Sequence, residues 1–372
     1  MMKNHPLLAT LAVTALLTAC GGGGGGGSSS ADTSRVSTSQ ALDATVLDIT
    51  TQARAQGAET EVGIGIYNLS YYDHSFAMTD VVRHSQLRGL DWGTDVGADA
   101  NGEPTRDFIM IFSAKVIGAG TYTLSFKGQA SIEIAATPNG MVANKQYNAA
   151  TNTTTADIIL PQDSTNNTWL TLRNTRRTAA SVSADGLTEM HMWRPGYPTD
   201  GSEMFTREFL TAMGKFHVIR TMDFINANRN GTENWAERTH VNFAGYTDDK
   251  GQSWELMIML ANESNRDIWI NVPVKADDDY IQKLAKLVKY GSDGVEPYSS
   301  SQANPKYPPL NPNLKVYVEY GNEIWNPGAG FYGFHWALAL ADQHRLDTSH
   351  PIAYDGPVAN QYEAVRRWVA YR

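Results

Sequence analysis

The chain has 372 residues, 42% of them hydrophobic, and its 30 basic and 39 acidic side chains leave a formal net charge of −9. That balance argues against nucleic acid or an anionic lipid surface as a partner. The one cysteine, Cys20, excludes any intramolecular disulfide.

At the N-terminus, Lys3 precedes an apolar stretch, Leu7 to Leu17, that is too short to span a bilayer. It runs into Leu17-Thr18-Ala19-Cys20 and then Gly21 to Gly27 and Ser28 to Ser30. The stretch resembles a bacterial lipoprotein signal. That resemblance implies removal of residues 1–19, lipid on Cys20 and an outward-facing place in the cell envelope, with the membrane touched only through the anchor. An ordinary secretory signal with a chance cysteine is the alternative. A Gly/Ser run cannot pack, so residues 20–57 read as a tether followed by a short stalk. In the stalk Leu42, Val46, Ile49 and Ala53 recur at helical spacing. The rest is long enough to bury a core and to form two domains.

Residues 58–186 carry a strand period. Tyr122, Leu124 and Phe126 alternate with polar residues, Ile132 and Ile134 continue the alternation, and Ala156 to Leu160 and Trp169 to Leu172 add further runs. Turn signals at Gly118-Ala-Gly120, Lys127-Gly128, Pro138-Asn-Gly140 and Asn166-Asn167 separate them. The spacing predicts an antiparallel β-sandwich. Trp92 and Trp169 offer either a sugar-binding surface or ordinary packing. Asp99-Ala-Asn-Gly102 has the look of part of a calcium loop, but Gly97 and Phe108 occupy the first and last ligand places, so it reads as a turn.

From residue 187 to 372 strands alternate with helices. The expected strands are Thr188–Trp193, His217–Asp223, Arg266–Val272 and Lys315–Tyr320. Between them lie helical patterns at Phe205, Phe209, Leu210 and Met213, at Trp254–Asn262, and after a capping Asp277 at Ile281, Leu284, Ala285 and Val288. This order predicts a parallel sheet with functional side chains at the carboxyl ends of its strands. The residues found there are Trp193 and Arg194, Arg220 and Asp223, Asn271, and Asn322 and Glu323. After the fourth strand come a loop with Phe331, Tyr332, His335 and Trp336 and a helix over 360–372 with Tyr362, Val365 and Val369 on one side.

The run Val316-Tyr-Val-Glu-Tyr-Gly-Asn-Glu-Ile-Trp-Asn326 places a carboxyl, an amide and an indole just past a strand. An acid can protonate a leaving glycosidic oxygen, an amide can hold a ring hydroxyl, and an indole can stack on a sugar face. The alternative is a surface ion pair at Glu323 with Asn322 as a turn residue.

With Asn322-Glu323 after a fourth strand and Arg220 on a second, residues 188–372 resemble a clan A glycoside hydrolase, a retaining (β/α)8 barrel. The resemblance implies a multidomain β plus α/β protein, its antiparallel sandwich followed by an incomplete TIM barrel of about four βα units. It implies Glu323 as general acid/base, paired with Asn322, and Arg220 as the arginine of the second strand. From their places at or just past the strand ends, Asn322, Trp325, Arg220, Asn271, Trp193 and Asp223 are the expected substrate contacts. It implies a carbohydrate polymer as partner, with no cofactor and no metal. The clan's nucleophile ends a seventh strand, which this sequence does not reach, and Glu319 is expected inside the barrel. The chain is therefore expected to be a fragment or a broken copy, inactive alone.

His-Glu-x-x-His, Gly-x-Ser-x-Gly and phosphate-loop patterns are absent. His335, His344 and His350 read as loop or surface residues, and Asp277-Asp278-Asp279 as a helix cap rather than a metal site. Trp235 and Arg238 either line a sugar subsite or pack. The competing functions are a non-catalytic carbohydrate-binding surface lipoprotein and a purely structural one.

Overall fold

The computed structural model describes residues 60–70, 76–162, 167–245 and 250–372, all within one unit of the chain, Ser39–Arg372. The signal segment, Cys20, the tether and the stalk lie outside the described residues. The architecture is β plus α/β: one parallel sheet and two antiparallel ones, each of four strands, with helices.

The antiparallel sheets have the strand orders β2-β3-β8-β5 and β6-β7-β4-β9. The first joins β2 (Gln86–Gly89), β3 (Phe108–Ser113), β8 (Asn167–Arg176) and β5 (Gln129–Ala135). The second joins β6 (Met141–Asn148), β7 (Thr153–Leu160), β4 (Gly120–Lys127) and β9 (Thr188–Trp193). Their facing side chains share one core, in which Phe108, Met110 and Phe112 meet Tyr122, Leu124, Phe126, Ile158 and Met192. The alternation read in β4 is the alternation observed, with Tyr122, Leu124 and Phe126 buried between exposed or half-buried neighbours. On the outer face Trp92 and Trp169 pack edge to face at 5.1 Å, and Trp169 lies against Ile109 and Ile111. The Asp99 segment is a turn: its carboxylate accepts from Asn101 N–H at 2.9 Å and Glu103 N–H at 3.1 Å.

The parallel sheet has the order β1 (Gly63–Gly65), β10 (Val218–Arg220), β11 (Asp267–Val272), β12 (Val316–Tyr320). This corrects the expected first strand. Thr188–Trp193 pairs antiparallel with β4 in the sandwich, and the first parallel strand is the far upstream Gly63–Gly65. The antiparallel strands β2–β9 are thus inserted between the first and second parallel strands. Gly63 has a packing reason to be glycine: a Cβ there would lie 2.6 Å from Val218 Cγ1 across the pair. The fourth parallel strand is still Val316–Tyr320, so the position of Asn322-Glu323 in the series is unchanged.

Three longer segments cover the sheet. They are α2 (Arg207–Met213), α3 (Trp254–Ser264) and α4 (Asp278–Tyr290), following the short α1 (Ala114–Ile117). Their apolar sides meet Ile219, Ile268, Ile270 and Val272 in one core. Asp277 caps α4 as expected, accepting from Tyr280 N–H at 2.7 Å. The buried stripe of α4 is Tyr280, Leu284 and Leu287, and Ala285 faces solvent. The stretch read as a loop from Phe331 is instead the start of a helix, α5 (Tyr332–Asp342), which packs with α6 (Gln361–Tyr371).

Trp193 and Arg194 therefore stand at the end of an antiparallel strand and not of a parallel one. Trp193 is buried and stacks on His191 at 5.2 Å. Buried Arg194 donates to the carbonyls of Met78 (2.8 Å) and Ile117 (3.1 Å), and its Nη2 lies 3.4 Å from Nε2 of buried His84. Burial, reinforced by the Arg194 charge, pushes His84 down to about 3. The folded state therefore holds His84 neutral while the unfolded chain protonates it near 6.5. Stability from this group is complete above pH 6.5 and is lost as pH falls toward the folded value, by about 1.4 kcal/mol per pH unit. Urea unfolding of the wild type and His84→Gln at pH 6 and pH 5 should show the wild type losing about that much more stability than the variant. Parallel losses would refute a neutral, buried His84.

Candidate active site

Gly321 follows β12 with φ 65°, and a Cβ on it would lie 2.6 Å from Val274 Cγ1. Two residues on, Glu323 has φ 45°. A left-handed conformation costs an L residue roughly 1–2 kcal/mol. Between these two turns Asn322 is buried, and after them Trp325 stands 70% exposed. The chain therefore leaves the sheet in a tight, strained turn that seats the amide inside and holds the carboxyl and the indole outward. Asn326 closes the turn, donating from its backbone to Glu323 O at 2.8 Å and from Nδ2 to Glu323 Oε2 at 3.2 Å.

The parallel register puts Arg220 beside Trp269, and Asn271 beside Glu319. Side chains two apart on a strand share a face, so Arg220, Trp269, Asn271, Tyr317 and Glu319 line the same face of the sheet. There Glu319 Oε2 accepts from Asn271 Nδ2 at 2.7 Å, Arg220 Nη2 at 2.8 Å and Trp269 Nε1 at 3.0 Å. Arg220 Nη2 also donates to Asn322 Oδ1 at 2.8 Å, and its guanidinium lies 5.3 Å from the Trp269 ring centre. Asn322 Nδ2 donates to Asn228 Oδ1 at 2.9 Å. Glu319 was expected to be buried within a barrel. It is half-buried and opens onto a cleft, because among the described residues no strand pairs with the far edge of β12.

That cleft has a volume of about 440 Å³. Arg220, Glu319, Asn322, Glu323 and Trp325 line it, and Val365, Arg366 and Val369 of α6 form the opposite wall. Of the expected site residues, Glu323, Asn322, Trp325 and Arg220 come together here. Asn271 is fully buried beneath them and holds Glu319 and the Gly321 carbonyl, the latter at 2.7 Å. Asp223 lies in the turn after β10 and Trp193 in the sandwich, and neither lines the cleft. Sequence reasoning put Glu319 inside a barrel and not among the site residues, and it did not single out Asn228. Parity along β12 does put Glu319 on the face of Tyr317, whereas Asn228 sits in an irregular turn that carries no periodic signal.

Trp235 and Arg238 are a packed pair, not a subsite. Both are buried, the guanidinium lies 4.3 Å from the indole centre, and Arg238 Nη2 meets Glu255 Oε1 at 2.8 Å. A larger cavity, about 550 Å³, lies beside the sandwich between Asp80, Glu103, Glu189 and His191. Its buried Asp80 carboxyl loses by desolvation but is held below its ordinary range by the hydrogen bond and charge of His191, with Nδ1 at 2.7 Å. The smaller cleft is the better candidate site, because it unites an outward-held acid, a buried amide and an exposed indole. Among the described residues no group of three or more His, Cys, Asp or Glu is placed to hold a metal ion.

No family model matches the chain, and no curated protein does. Among solved structures, an arabinose-bound α-L-arabinofuranosidase of family GH51 is similar at 12% identity over 77% of this chain, with a TM-score of 0.42. The chain spans 58% of the length of that structure. So distant a likeness assigns no function.

The left-handed turn yields a direct test. Glycine adopts φ 45° without the steric penalty of glutamate, and the substitution gives up the side-chain hydrogen bond from Asn326 Nδ2 at 3.2 Å. Glu323→Gly should leave the protein as stable as the wild type or raise it by about 0.5–1 kcal/mol in urea unfolding. A loss above about 1 kcal/mol would show that the turn is not strained by Glu323.

Proposed function

We propose that the chain carries the acid/base half of a glycoside hydrolase site, built on the first four strands of a (β/α)8 barrel and acting on a carbohydrate polymer with retention. The observation that carries this reading is the strained turn at the carboxyl end of β12. It presents Glu323 to a cleft together with a fixed amide, Asn322, and an exposed indole, Trp325. Strain of this kind is stored where geometry is needed for function. In the proposed reaction Glu323 protonates the glycosidic oxygen as the bond breaks, and its carboxylate then activates the water that releases the sugar. Asn322 holds a ring hydroxyl and Trp325 stacks on a sugar face.

Retaining chemistry also needs a second carboxyl about 5–5.5 Å from the first. Glu319, the other carboxylate of the cleft, already accepts from three donors. That commitment favours a second reading, in which the same cleft binds carbohydrate without cutting it. In either case the protein is proposed to stand on the outer side of a bacterial envelope, held by lipid on Cys20.

The two readings separate in one experiment on the protein. Glu323→Gln keeps shape and removes the proton, so the hydrolase reading expects glycan binding retained and turnover down by about 10²–10⁴-fold. Turnover unchanged in Glu323→Gln overturns Glu323 as the acid. Absence of turnover in the wild type, with glycan affinity lost in Trp325→Ala, establishes the binder. The anchor is tested by Cys20→Ser, which should move the processed protein from the membrane fraction to the soluble one, since lipid chains would supply its hold on the bilayer.

A further inference from the structure

Resting on the reading of the cleft as a sugar site, we infer that Glu319 is its positioning residue: it fixes Arg220, and Arg220 fixes which way the Asn322 amide points. A guanidinium has only donors. The Asn322 atom 2.8 Å from Arg220 Nη2 is therefore the carbonyl oxygen, and the amide nitrogen faces Asn228. One of its two hydrogens goes to Asn228 Oδ1, leaving the other for a ligand hydroxyl. A flipped amide would set its NH₂ against Arg220 and its oxygen against the Asn228 oxygen, and lose both bonds.

Arg220 has few other restraints. Its Nε is buried without a hydrogen-bond partner, so Nη2 and the Trp269 ring hold the guanidinium. Glu319 holds both, since Trp269 Nε1 donates to the same carboxylate oxygen. Asn271 in turn ties that carboxylate to the carbonyl of Gly321, where the strained turn begins. One carboxylate thus links the floor of the sheet, the cation and the amide. Removing its charge frees Arg220 and unlocks Asn322, although Glu319 need not touch the reacting bond.

The test is Glu319→Gln, with Arg220→Lys as a second variant, in isotopically labelled full-length protein. The side-chain NH₂ resonance of Asn322 should move in both variants, and the indole resonance of Trp269 should move in Glu319→Gln. Where the wild type turns over a glycan, Glu319→Gln should lower kcat about 10²-fold, the scale of a small misplacement, with KM changed less than kcat. An Asn322 resonance that stays in place in both folded variants overturns the inference, as does wild-type kcat in Glu319→Gln beside a lowered unfolding midpoint. If the wild type neither cuts nor binds glycans, the sugar-site reading fails by itself, and the Asn322 resonance still decides whether Glu319 orients the amide.

Discussion

The candidate site depends on the register of one parallel pair. Asn271 lies opposite Glu319 because Ile268 pairs with Val316 at the start of β11 and β12, and the pairing then runs without a break to Val272 and Tyr320. A slip of one residue in β11 would turn Trp269 and Asn271 to the face covered by the helices and carry Ile270 to the cleft. That slip is costly, since Ile268, Ile270 and Val272 are buried in the core beneath α3 and α4. Apolar burial on one face therefore sets the polar geometry on the other.

The sequence made this site legible for the same reason. Val316-Tyr-Val is a plain strand signal, and it stops at a glycine that is followed by an amide and an acid. Gly321, Asn322 and Glu323 lie where that pattern puts them, at the end of the fourth parallel strand. The three-residue β1 was illegible. Its two glycines give neither an apolar run nor an alternation, and its partner β10 lies 155 positions downstream, Gly63 pairing with Val218.

Thr188–Trp193 has the composition of a strand in either sheet, and only its pairing with β4 decides between them. A period of two is a property of the strand, whereas membership of a sheet is set by contacts far away in sequence. Likewise the helix from Tyr332 was hidden by Gly328, Gly330 and Gly333, which read as loop, although Phe334, Ala337 and Ala341 recur at helical spacing and are buried.

Among the described residues an Arg–Glu–Trp cluster stands at two places, and their surroundings divide structure from function. Arg238, Glu255 and Trp235 are all buried, and Ser292 Oγ adds a hydrogen bond to Glu255 at 2.9 Å. A pair so enclosed gains no ligand access, and losing one partner would strand a buried charge at a cost of about 3–5 kcal/mol. Arg220, Glu319 and Trp269 repeat the set at the cleft, where the two charged side chains are about 30% exposed. There the ion pair contributes less to stability, because solvent screens it. What it retains is direction: each donor and acceptor fixes the next, ending at an amide that faces a cavity. The same three residue types thus serve as a core staple in one place and as an orienting device in the other, and exposure to the cleft is what separates the two roles.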